Sequence, residues 1–409
     1  MRRKLVVVGN GMAGMRVVEE LLRLAPDLYD ITVFSGEPYG NYNRILLSPL
    51  LAGEARVDDI LLQDDEWYRA HRITLFKGKP AVAIDRALRE VRAADGTTAR
   101  YDRLVLATGS LPIIPPIPGA HLEGVIGFRD IGDVRRMLAA ARRYEYAVVI
   151  GGGLLGLEAA HGLMRRGMTV RVVQLMPTLM EQQLDADAGG LLRRSLEARG
   201  LSFIMPAETV EICGNERVTD VRLRDGREIP ADLVVVAVGI RPNIALARAV
   251  GLHCRRGIVV DSTMLSFDPS IYAVGECAES HGRTYGLVAP LYEQAKVCAN
   301  HLAGWGCARY PGSLAAASLK VTGVELFSAG NVAGSEDSES IVLHDPSRGV
   351  YRKLILRDNR LAGAVLYGDT ADSAWYARLM RDRADVSEFR DRLMFGPLSP
   401  EASAPRAVA

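Results

Sequence analysis

Two glycine-rich stretches, LVVVGNGMAG at residues 5–14 and AVVIGGGLLG at residues 147–156, are the strongest indication of the fold of this chain. In each stretch a β-branched apolar run leads into three glycines spaced G-x-G-x-x-G, and then into a helix with apolar periodicity. The first glycine permits the tight turn, the second lets the backbone approach a pyrophosphate, and the third lets the helix pack closely on the strand. The helix N-terminus then offers free N–H groups to the phosphates.

The two stretches belong to an internal repeat of strand, glycine turn, helix and second strand. One copy could be a decayed unit that binds nothing, but neither triplet has lost a glycine. The first glycine turn contains Gly9, Gly11 and Gly14, and the second glycine turn contains Gly151, Gly153 and Gly156. We therefore predict an α/β protein with two Rossmann-like dinucleotide-binding domains and two bound nucleotides.

Length and composition are those of a globular protein. The chain has 409 residues, enough for two or three domains. Its net charge of +1 gives no reason to expect nucleic acid as a partner. No apolar stretch is long enough to cross a bilayer, so no membrane association is predicted. The basic start Met1–Lys4 leads directly into the strand before the first glycine turn, which indicates no signal peptide and favours a cytoplasmic protein.

Cysteine and histidine usage gives no sign of a metal site. Five cysteines lie at positions 213, 254, 277, 298 and 307, and none form a CxxC pair. Neither a disulfide framework nor a zinc or iron–sulfur site is predicted, and each cysteine is interpreted as a small buried hydrophobe. The seven histidines have no metal-ligand spacing.

A proline-rich segment divides the chain. Residues 111–118, LPIIPPIP, cannot continue a helix or a central strand, so they predict a domain crossover. Each half before and after it closes with an apolar strand and a glycine, LVLATG at residues 104–109 and LVVVAVG at residues 233–239. A further buried strand at residues 270–276 and a helix near residues 291–302 are predicted next.

The pattern changes near residue 316 to that of an antiparallel meander. Strands are predicted at residues 325–330, 339–343, 351–356 and 361–367, with a turn at Asp358-Asn359, a short helix at residues 371–381 and a disordered tail. The predicted domains are residues 1–113 together with 243–315, residues 114–242, residues 316–395, and a tail at residues 396–409.

Four motifs resemble those of the two-dinucleotide flavoprotein family, the pyridine nucleotide–disulfide-type and rubredoxin- or ferredoxin-reductase-like oxidoreductases. They are the two glycine turns, the second continued to Glu158, together with ATGS at residues 107–110 and YAVGEC at residues 272–277. YNRILLS at residues 42–48 and GLVAP at residues 286–290 are similar to the FAD- and NAD(P)H-binding N-terminal part of the bacterial nitrite reductase large subunit.

The resemblance implies a fold and two cofactors. The fold is of the glutathione-reductase type, with a small α+β C-terminal domain like that of rubredoxin reductase. FAD would bind at the first glycine turn, in the discontinuous domain, and NADH or NADPH at the second. In related flavoproteins the C-terminal domain helps to form a homodimer or covers the flavin, and both roles stay open for this chain.

The resemblance also implies which residues contact each cofactor. For FAD they are Gly9, Gly11, Met12, Ala13 and Gly14 at the pyrophosphate, Glu37 at the adenosine ribose, Arg44 and Ser48 at the flavin or phosphate, Val82 at the adenine, Ala107, Thr108 and Gly109 after the closing strand, Gly275 and Glu276 at the ribityl chain, and Ala289 and Pro290 beside the isoalloxazine. For the nicotinamide nucleotide they are Gly151, Gly153, Leu154, Leu155, Gly156, Glu158, Gln174 and Gly239. The second strand ends nearer Ser35 than Glu37, so the ribose residue could lie two positions earlier.

Three of the residues have alternative interpretations. Glu158 lies near the nicotinamide by resemblance, or is a glutamate favoured by the helix dipole, and no residue is assigned as catalytic. Gln174 stands where Glu would indicate NADH, but glutamine does not repel a 2′-phosphate, so both nucleotides stay open with a lean to NADH. Alternatively, Gln174 is a solvated side chain at a strand end. Cys277 beside the flavin motif is interpreted as packing, with a sulfenate role as the alternative.

We predict an FAD-dependent NAD(P)H oxidoreductase that passes electrons to a protein partner. Residues 42–47 contain no cysteine, although some relatives carry a redox cysteine there, so no thiol relay is expected. The resemblance implies a nitrite or nitrate reductase or a small iron–sulfur carrier as the acceptor. The iron–sulfur and sirohaem parts of a full nitrite reductase are expected to be absent. The alternatives are an NADH oxidase or peroxidase, and a redox-sensing flavin- and nucleotide-binding protein.

Overall fold

The computed structural model describes residues 2–321 and 323–397, and it divides into two compact units. The first unit contains the chain up to Leu47, together with Ala55–Leu111 and Ile240–Ser313. The second unit contains Ser48–Glu54, Pro112–Gly239 and the chain from Leu314 onward. The predicted disordered tail lies, from residue 398, outside the described residues.

Short strands occur throughout the described part of the chain. In chain order they are β1 Arg3–Val8, β2 Tyr29–Phe34, β3 Thr74–Phe76, β4 Ala81–Asp85, β5 Glu90–Ala93, β6 Thr98–Arg100, β7 Arg103–Leu106, β8 Ser110–Pro112, β9 Val125–Ile126, β10 Tyr146–Ile150, β11 Thr169–Val173, β12 Ser202–Ile204, β13 Thr209–Gly214, β14 Val218–Leu223, β15 Glu228–Pro230, β16 Leu233–Val236, β17 Ile240–Pro242, β18 Ile258–Val260, β19 Ile271–Ala273, β20 Ala278–Ser280, β21 Ala316–Val321, β22 Val324–Gly330, β23 Glu339–Asp345, β24 Val350–Arg357 and β25 Arg360–Tyr367.

The α-helices of the same residues are α1 Met12–Leu24, α2 Leu47–Ala52, α3 Val57–Ile60, α4 Asp65–Ala70, α5 Ile131–Ala141, α6 Leu154–Arg165, α7 Ala186–Glu197, α8 Ala245–Ala249, α9 Val288–Leu302 and α10 Ser373–Asp382. Short 3-10 helices lie at Arg44–Leu46, Gly275–Cys277 and Ser387–Phe395. Among the described residues, none of the helices combines the length and the apolarity that crossing a membrane requires.

The first unit is built on a parallel sheet with the strand order β19-β7-β1-β2-β3. Strand β1 lies in the middle of this sheet, and its residues Leu5, Val6 and Val7 are at most 1% exposed, as expected of a strand covered on both faces. Helix α1 buries the apolar stripe that contains Val17 and Leu21, and it packs against α9. This is the predicted Rossmann-like arrangement, with the first glycine turn at the carboxyl end of β1.

The second unit repeats the arrangement with the strand order β12-β11-β10-β16-β9, again parallel throughout. Helix α6 follows β10 across the second glycine turn. Segment Ser48–Glu54 packs on this helix: Arg166 Nε donates to the carbonyl of Leu51 over 2.6 Å. A Cβ on Gly162 would lie only 2.6 Å from Leu51 Cγ, so the glycine allows this close packing.

The C-terminal part of the second unit is an antiparallel sheet with the order β21-β22-β25-β24-β23. Strands β23, β24 and β25 form the predicted meander, and Asp358 and Asn359 both have positive φ, at 50° and 54°, as a two-residue hairpin turn requires. A simple meander is wrong for β22, which pairs with β25 instead of β23. Helix α10 covers the sheet with Trp375, Tyr376 and Leu379.

Candidate functional site

The first glycine of each turn lies against the backbone of a neighbouring strand. Gly9 and Gly151 both have φ of 115°, a conformation that L side chains rarely adopt. A Cβ on Gly9 would lie 2.1 Å from the carbonyl oxygen of Ala107, and a Cβ on Gly151 would lie 2.4 Å from that of Ala237. Both positions therefore require glycine, for the same steric reason.

The third glycine of each turn lets the helix pack on the turn itself. A Cβ on Gly14 would lie 2.4 Å from the oxygen of Gly9, and a Cβ on Gly156 would lie 2.0 Å from the oxygen of Gly151. Helices α1 and α6 thus begin directly on their turns, with Met12 and Ala13 in the first turn of α1 and Leu154 and Leu155 in that of α6.

The middle glycines face open space. Gly11 and Gly153 are the N-caps of α1 and α6, with nearly the same backbone angles (φ −80°, ψ 178° and φ −79°, ψ 176°), and neither provides a side-chain cap. A Cβ at either position would meet no heavy atom within 4 Å. Each helix start thus has uncapped N–H groups beside a space that a side chain would fill. This arrangement fits a dinucleotide pyrophosphate at both turns.

The acid of the YAVGEC motif lies close to the first glycine turn. Gly275 contacts the start of α1, because a Cβ on it would lie 2.9 Å from Ala13 Cβ, and its N–H donates to Gln294 Oε1 over 2.9 Å. Glu276 follows at once and accepts a hydrogen bond from Ser110 Oγ at 2.7 Å. The structure therefore groups Glu276 with residues that the sequence placed in two other motifs, the first glycine turn and ATGS.

The ATGS segment completes this group. Thr108 Oγ1 donates to the carbonyl of Asn243 over 2.6 Å, and the carbonyl of Gly109 accepts from Asn243 N at 2.9 Å. Gly109 has φ of 66°, and a Cβ there would lie 3.8 Å from Glu276 Oε2. The segment at residues 107–109 thus contacts the first glycine turn at one end and Glu276 at the other.

Glu37 lies beyond the end of β2 in a charged cluster. Its carboxylate accepts from Tyr42 Oη at 2.7 Å and pairs with the Arg44 guanidinium. The Arg44 guanidinium also lies over the Tyr42 ring, 5.1 Å from its centroid. The structure therefore brings the predicted ribose residue Glu37 and Arg44 side by side.

Three other residues of the first unit were predicted to contact FAD. Val82 is in β4 and 54% exposed. It follows the segment that runs beside Ser35 and Glu37, where Lys79 N donates to Ser35 O over 2.7 Å. Ala289 and Pro290 are in the first turn of α9, where Pro290 is buried and Ala289 is exposed.

Glu158 is a buried carboxyl group of the second unit whose pKa lies near neutral pH. It lies on α6 one turn after the second glycine turn, and Ser48 Oγ donates to its Oε2 over 2.6 Å. Burial raises the pKa of Glu158 to about 7, although the Ser48 hydrogen bond opposes the shift. A carboxyl group in this state can hold or release a proton near neutral pH, which a dipole-stabilised surface glutamate would not do.

Gln174 is only 4% exposed, so the alternative of a solvated side chain is wrong. Its Oε1 accepts from Gly152 N at 2.8 Å, within the second glycine turn. Its Nε2 donates to the carbonyl of Thr178 at 3.3 Å and to Glu181 Oε2 at 3.0 Å. Gly239, at the carboxyl end of the same sheet, accepts from Ile113 N at 3.0 Å.

All five cysteines are free thiols. Cys277 is fully buried, and its thiol contacts the carbonyl oxygens of Val274 and Leu106 at 3.3 and 3.5 Å. Burial also raises the pKa of the Cys277 thiol, which disfavours the reactive thiolate. Its environment is therefore that of a packing residue.

Several residues that shape the two turns were missed by the sequence reasoning. Tyr68 Oη donates to Asn10 Oδ1 over 2.8 Å, and Asn41 Nδ2 donates to the carbonyl of Asn10 over 2.8 Å. Gln294 and Glu181 were not considered either. No spacing rule links these residues to the glycines, because they reach the turns from other elements; only Asn10 lies inside a motif.

Comparison with known proteins agrees with this geometry. The family model described as pyridine nucleotide-disulphide oxidoreductase matches residues 3–301, and the model described as rubredoxin NAD+ reductase C-terminal domain matches residues 316–384. The ferredoxin reductase for the CYP199A2 system from Rhodopseudomonas palustris is 27% identical and superposes with a TM-score of 0.85, over 96% of this chain and 100% of that chain.

Two Bacillus subtilis (strain 168) proteins are more similar in sequence. Nitrite reductase [NAD(P)H] is 49% identical over 98% of this chain and 50% of its own length. The assimilatory nitrate reductase electron transfer subunit is 44% identical over 99% of this chain and 52% of its own length. The chain thus spans about half the length of these two curated relatives.

Proposed function

Because the chain belongs to the pyridine nucleotide-disulphide oxidoreductase family and is an FAD-dependent NAD(P)H oxidoreductase, we propose that it delivers electrons to a redox partner protein. The partner would be a nitrite or nitrate reductase component or a small iron–sulfur carrier. The relatives named as nitrite reductase and nitrate reductase electron transfer subunit support the first choice, and the similarity to a ferredoxin reductase supports the second.

The observation that carries the cofactor-binding part of this proposal is the pair of matched glycine turns with open space at Gly11 and Gly153. When bound, FAD and NAD(P)H supply hydride transfer from the nicotinamide to the flavin and onward electron transfer. The chain's own contribution is to bind and orient both groups. Binding in a fixed orientation lowers the entropy cost of bringing the two reacting groups together. The uncapped N–H groups at the starts of α1 and α6 would hold the two pyrophosphates.

The remaining site residues would orient the two nucleotides. In the first unit, Glu37, Arg44, Val82, Gly275, Glu276, Ala289 and Pro290 would surround FAD, with Glu276 held in place by Ser110. In the second unit, Glu158 would hold a proton at the nicotinamide end, and its pKa of about 7 supports this role. Ser48, by donating to Glu158, sets the direction of that carboxyl group.

The absence of a cysteine in residues 42–47 supports a protein acceptor rather than a thiol substrate. Without a thiol in that segment, the chain has no residue there to form a mixed disulfide or a sulfenate. The alternative of an oxidase or peroxidase would need fast reaction of the reduced flavin with oxygen or peroxide. The alternative of a redox sensor would need a long-lived reduced flavin with poor transfer to every carrier.

We also propose the domain roles and the location of the protein. Residues 1–113 with 243–315 would bind FAD, residues 114–242 would bind NAD(P)H, and residues 316–395 would form the cap. The match of a rubredoxin reductase C-terminal domain model to residues 316–384 supports the last assignment. Five free thiols, and a nicotinamide donor supplied by metabolism, support a cytoplasmic location.

Stopped-flow spectroscopy tests the proposal in two stages. The FAD-loaded full chain is first mixed with NADH or NADPH, and bleaching of the flavin band is followed. The reduced protein is then mixed with a ferredoxin, a rubredoxin, or air-saturated buffer. We expect rapid reoxidation by a protein carrier and slow reoxidation by oxygen. Faster reoxidation by oxygen than by every carrier would replace the proposal with the oxidase alternative, and no reoxidation by either would favour the sensor.

A further inference from the structure

The loop that follows β11 folds back onto the second glycine turn. Met180 N donates to the carbonyl of Gly152 over 3.0 Å. Leu179 is fully buried, and its Cδ2 lies 2.7 Å from the position that a Cβ on Gly152 would take. Met180 itself is 1% exposed and has φ of 52°. The loop and the glycine turn are therefore packed as one piece, which fixes the position of Glu181 next in the chain.

Gln174 connects this loop to the turn through its amide. Its Oε1 takes the N–H of Gly152, and its two N–H donors face the Thr178 carbonyl and the Glu181 carboxylate. The opposite amide orientation would place an oxygen against two acceptors and an N–H against a donor, so the chemistry fixes the orientation. Gln174, the residue directly after β11, thus holds Glu181 through one hydrogen bond.

We infer that Glu181 selects NADH over NADPH, with Gln174 as its positioning residue. The inference rests on the proposed function, in which the second glycine turn binds the nicotinamide nucleotide. In dinucleotide-binding units an acid at the end of the second strand accepts the ribose hydroxyls. In this chain a neutral amide occupies that place and holds a carboxylate beside it, so the same recognition is moved to a residue seven positions later.

The charges around this carboxylate favour the same nucleotide. Residues 175–183, LMPTLMEQQ, contain no lysine or arginine that could attract a 2′-phosphate. On the neighbouring segment, Ala207 N donates to the carbonyl of Gln174, and the next residue, Glu208, pairs with Arg224 at 2.5 Å. The positive charge of Arg224 is therefore already balanced. A phosphate group beside Glu181 would add like charge, whereas two hydroxyl groups would donate hydrogen bonds to it.

Binding of the oxidised nucleotides tests this inference without reference to turnover. Isothermal titration of the FAD-loaded full chain with NAD+ and NADP+ should give NAD+ an affinity advantage of about tenfold or more, the size of one like-charge contact. Glu181→Gln should reduce that advantage to about threefold or less, and Glu181→Arg should reverse it. Glu181 is exposed and Glu181→Gln keeps an acceptor for the Gln174 amide, so Glu181→Gln should leave the thermal unfolding midpoint unchanged.

The control is Glu145→Gln, which removes the same charge from the same unit. Glu145 is exposed and lies just before β10, at the end of that strand opposite the glycine turn. Glu145→Gln should therefore leave the affinity ratio unchanged. Equal affinities in the unmodified chain, or an unchanged ratio in Glu181→Gln, would overturn the inference. If neither nucleotide bound to the unmodified chain or to the control, the proposed function itself would fail.

Discussion

The two glycine turns are almost identical in backbone geometry and different in their surroundings. Gly9 and Gly151 share φ of 115°, and Gly11 and Gly153 share open space. The residue after the first glycine is Asn10 in the first turn, held by Tyr68 and Asn41, whereas in the second turn it is Gly152, held by Gln174 and Met180. The two turns thus share one backbone conformation, but different side chains hold each of them in place.

The acidic residues near the two turns differ in the same way. Glu37, in the first unit, faces the Arg44 guanidinium and the Tyr42 hydroxyl, so its charge is balanced by a cation. Glu181, in the second unit, faces the neutral amide of Gln174. A carboxylate paired with a cation has little effect on the binding of a charged ligand. A carboxylate held by a neutral amide keeps its negative charge and still discriminates between ligands of different charge.

The largest expected effect comes from Gly11→Val. The valine side chain would occupy the open space at the start of α1 and displace the FAD pyrophosphate, without contacting other protein atoms at its Cβ. The purified variant should be folded and colourless at 450 nm. A yellow variant with the wild-type FAD content would show that FAD does not bind at the first turn.

Gly153→Val is the matching change in the second turn. The protein should remain yellow, because the first turn is untouched, but neither NADH nor NADPH should bleach the flavin in stopped-flow mixing. Loss of the yellow colour instead would reverse our assignment of the two turns. Gly190→Val on α7 is the control for both variants, since a Cβ there makes only an ordinary 3.6 Å contact with Arg194 Nη1. It should keep both FAD and nucleotide reactivity.

Glu158→Gln should change how stability depends on pH. The raised pKa means that the folded chain keeps a proton that the unfolded chain loses between pH ~4.3 and about 7. The stability from this group is thus complete below pH ~4.3 and is lost as the pH rises through about 7. Relative to Glu158→Gln, the wild-type protein should lose about 2–3 kcal/mol between pH 5 and pH 8. Thermal unfolding at both pH values measures the difference, and equal slopes would contradict it.

Ser48→Ala should have the smallest effect. The Ser48 hydroxyl stabilises the charged form of Glu158, so its removal should raise the pKa of that carboxyl further, by about half a unit. The midpoint of the pH dependence of flavin reduction by NADH should move upward by the same amount. Ser48→Thr keeps a hydroxyl and should restore the wild-type midpoint. A downward shift in Ser48→Ala would rule out this hydrogen bond as a determinant.

The sequence predicted the local elements well, and the failures have physical causes. The glycine spacing, the helical periodicity after it and the Asp358-Asn359 turn are local patterns, which a few adjacent residues specify. The predicted meander was wrong for β22, which pairs with β25, because strand partners are set by packing between distant parts of the chain. The solvated alternative for Gln174 failed for the same reason, since its burial comes from the loop that folds over it.

The spacing of three glycines after an apolar run was enough to predict two dinucleotide-binding turns, because the first position of each turn has a positive φ that favours glycine. The hydrogen bonds of Ser110 with Glu276, of Ser48 with Glu158 and of Gln174 with Glu181 became visible only in the folded chain. These contacts join residues whose side-chain orientation follows from packing, and packing depends on contacts that no local spacing rule encodes.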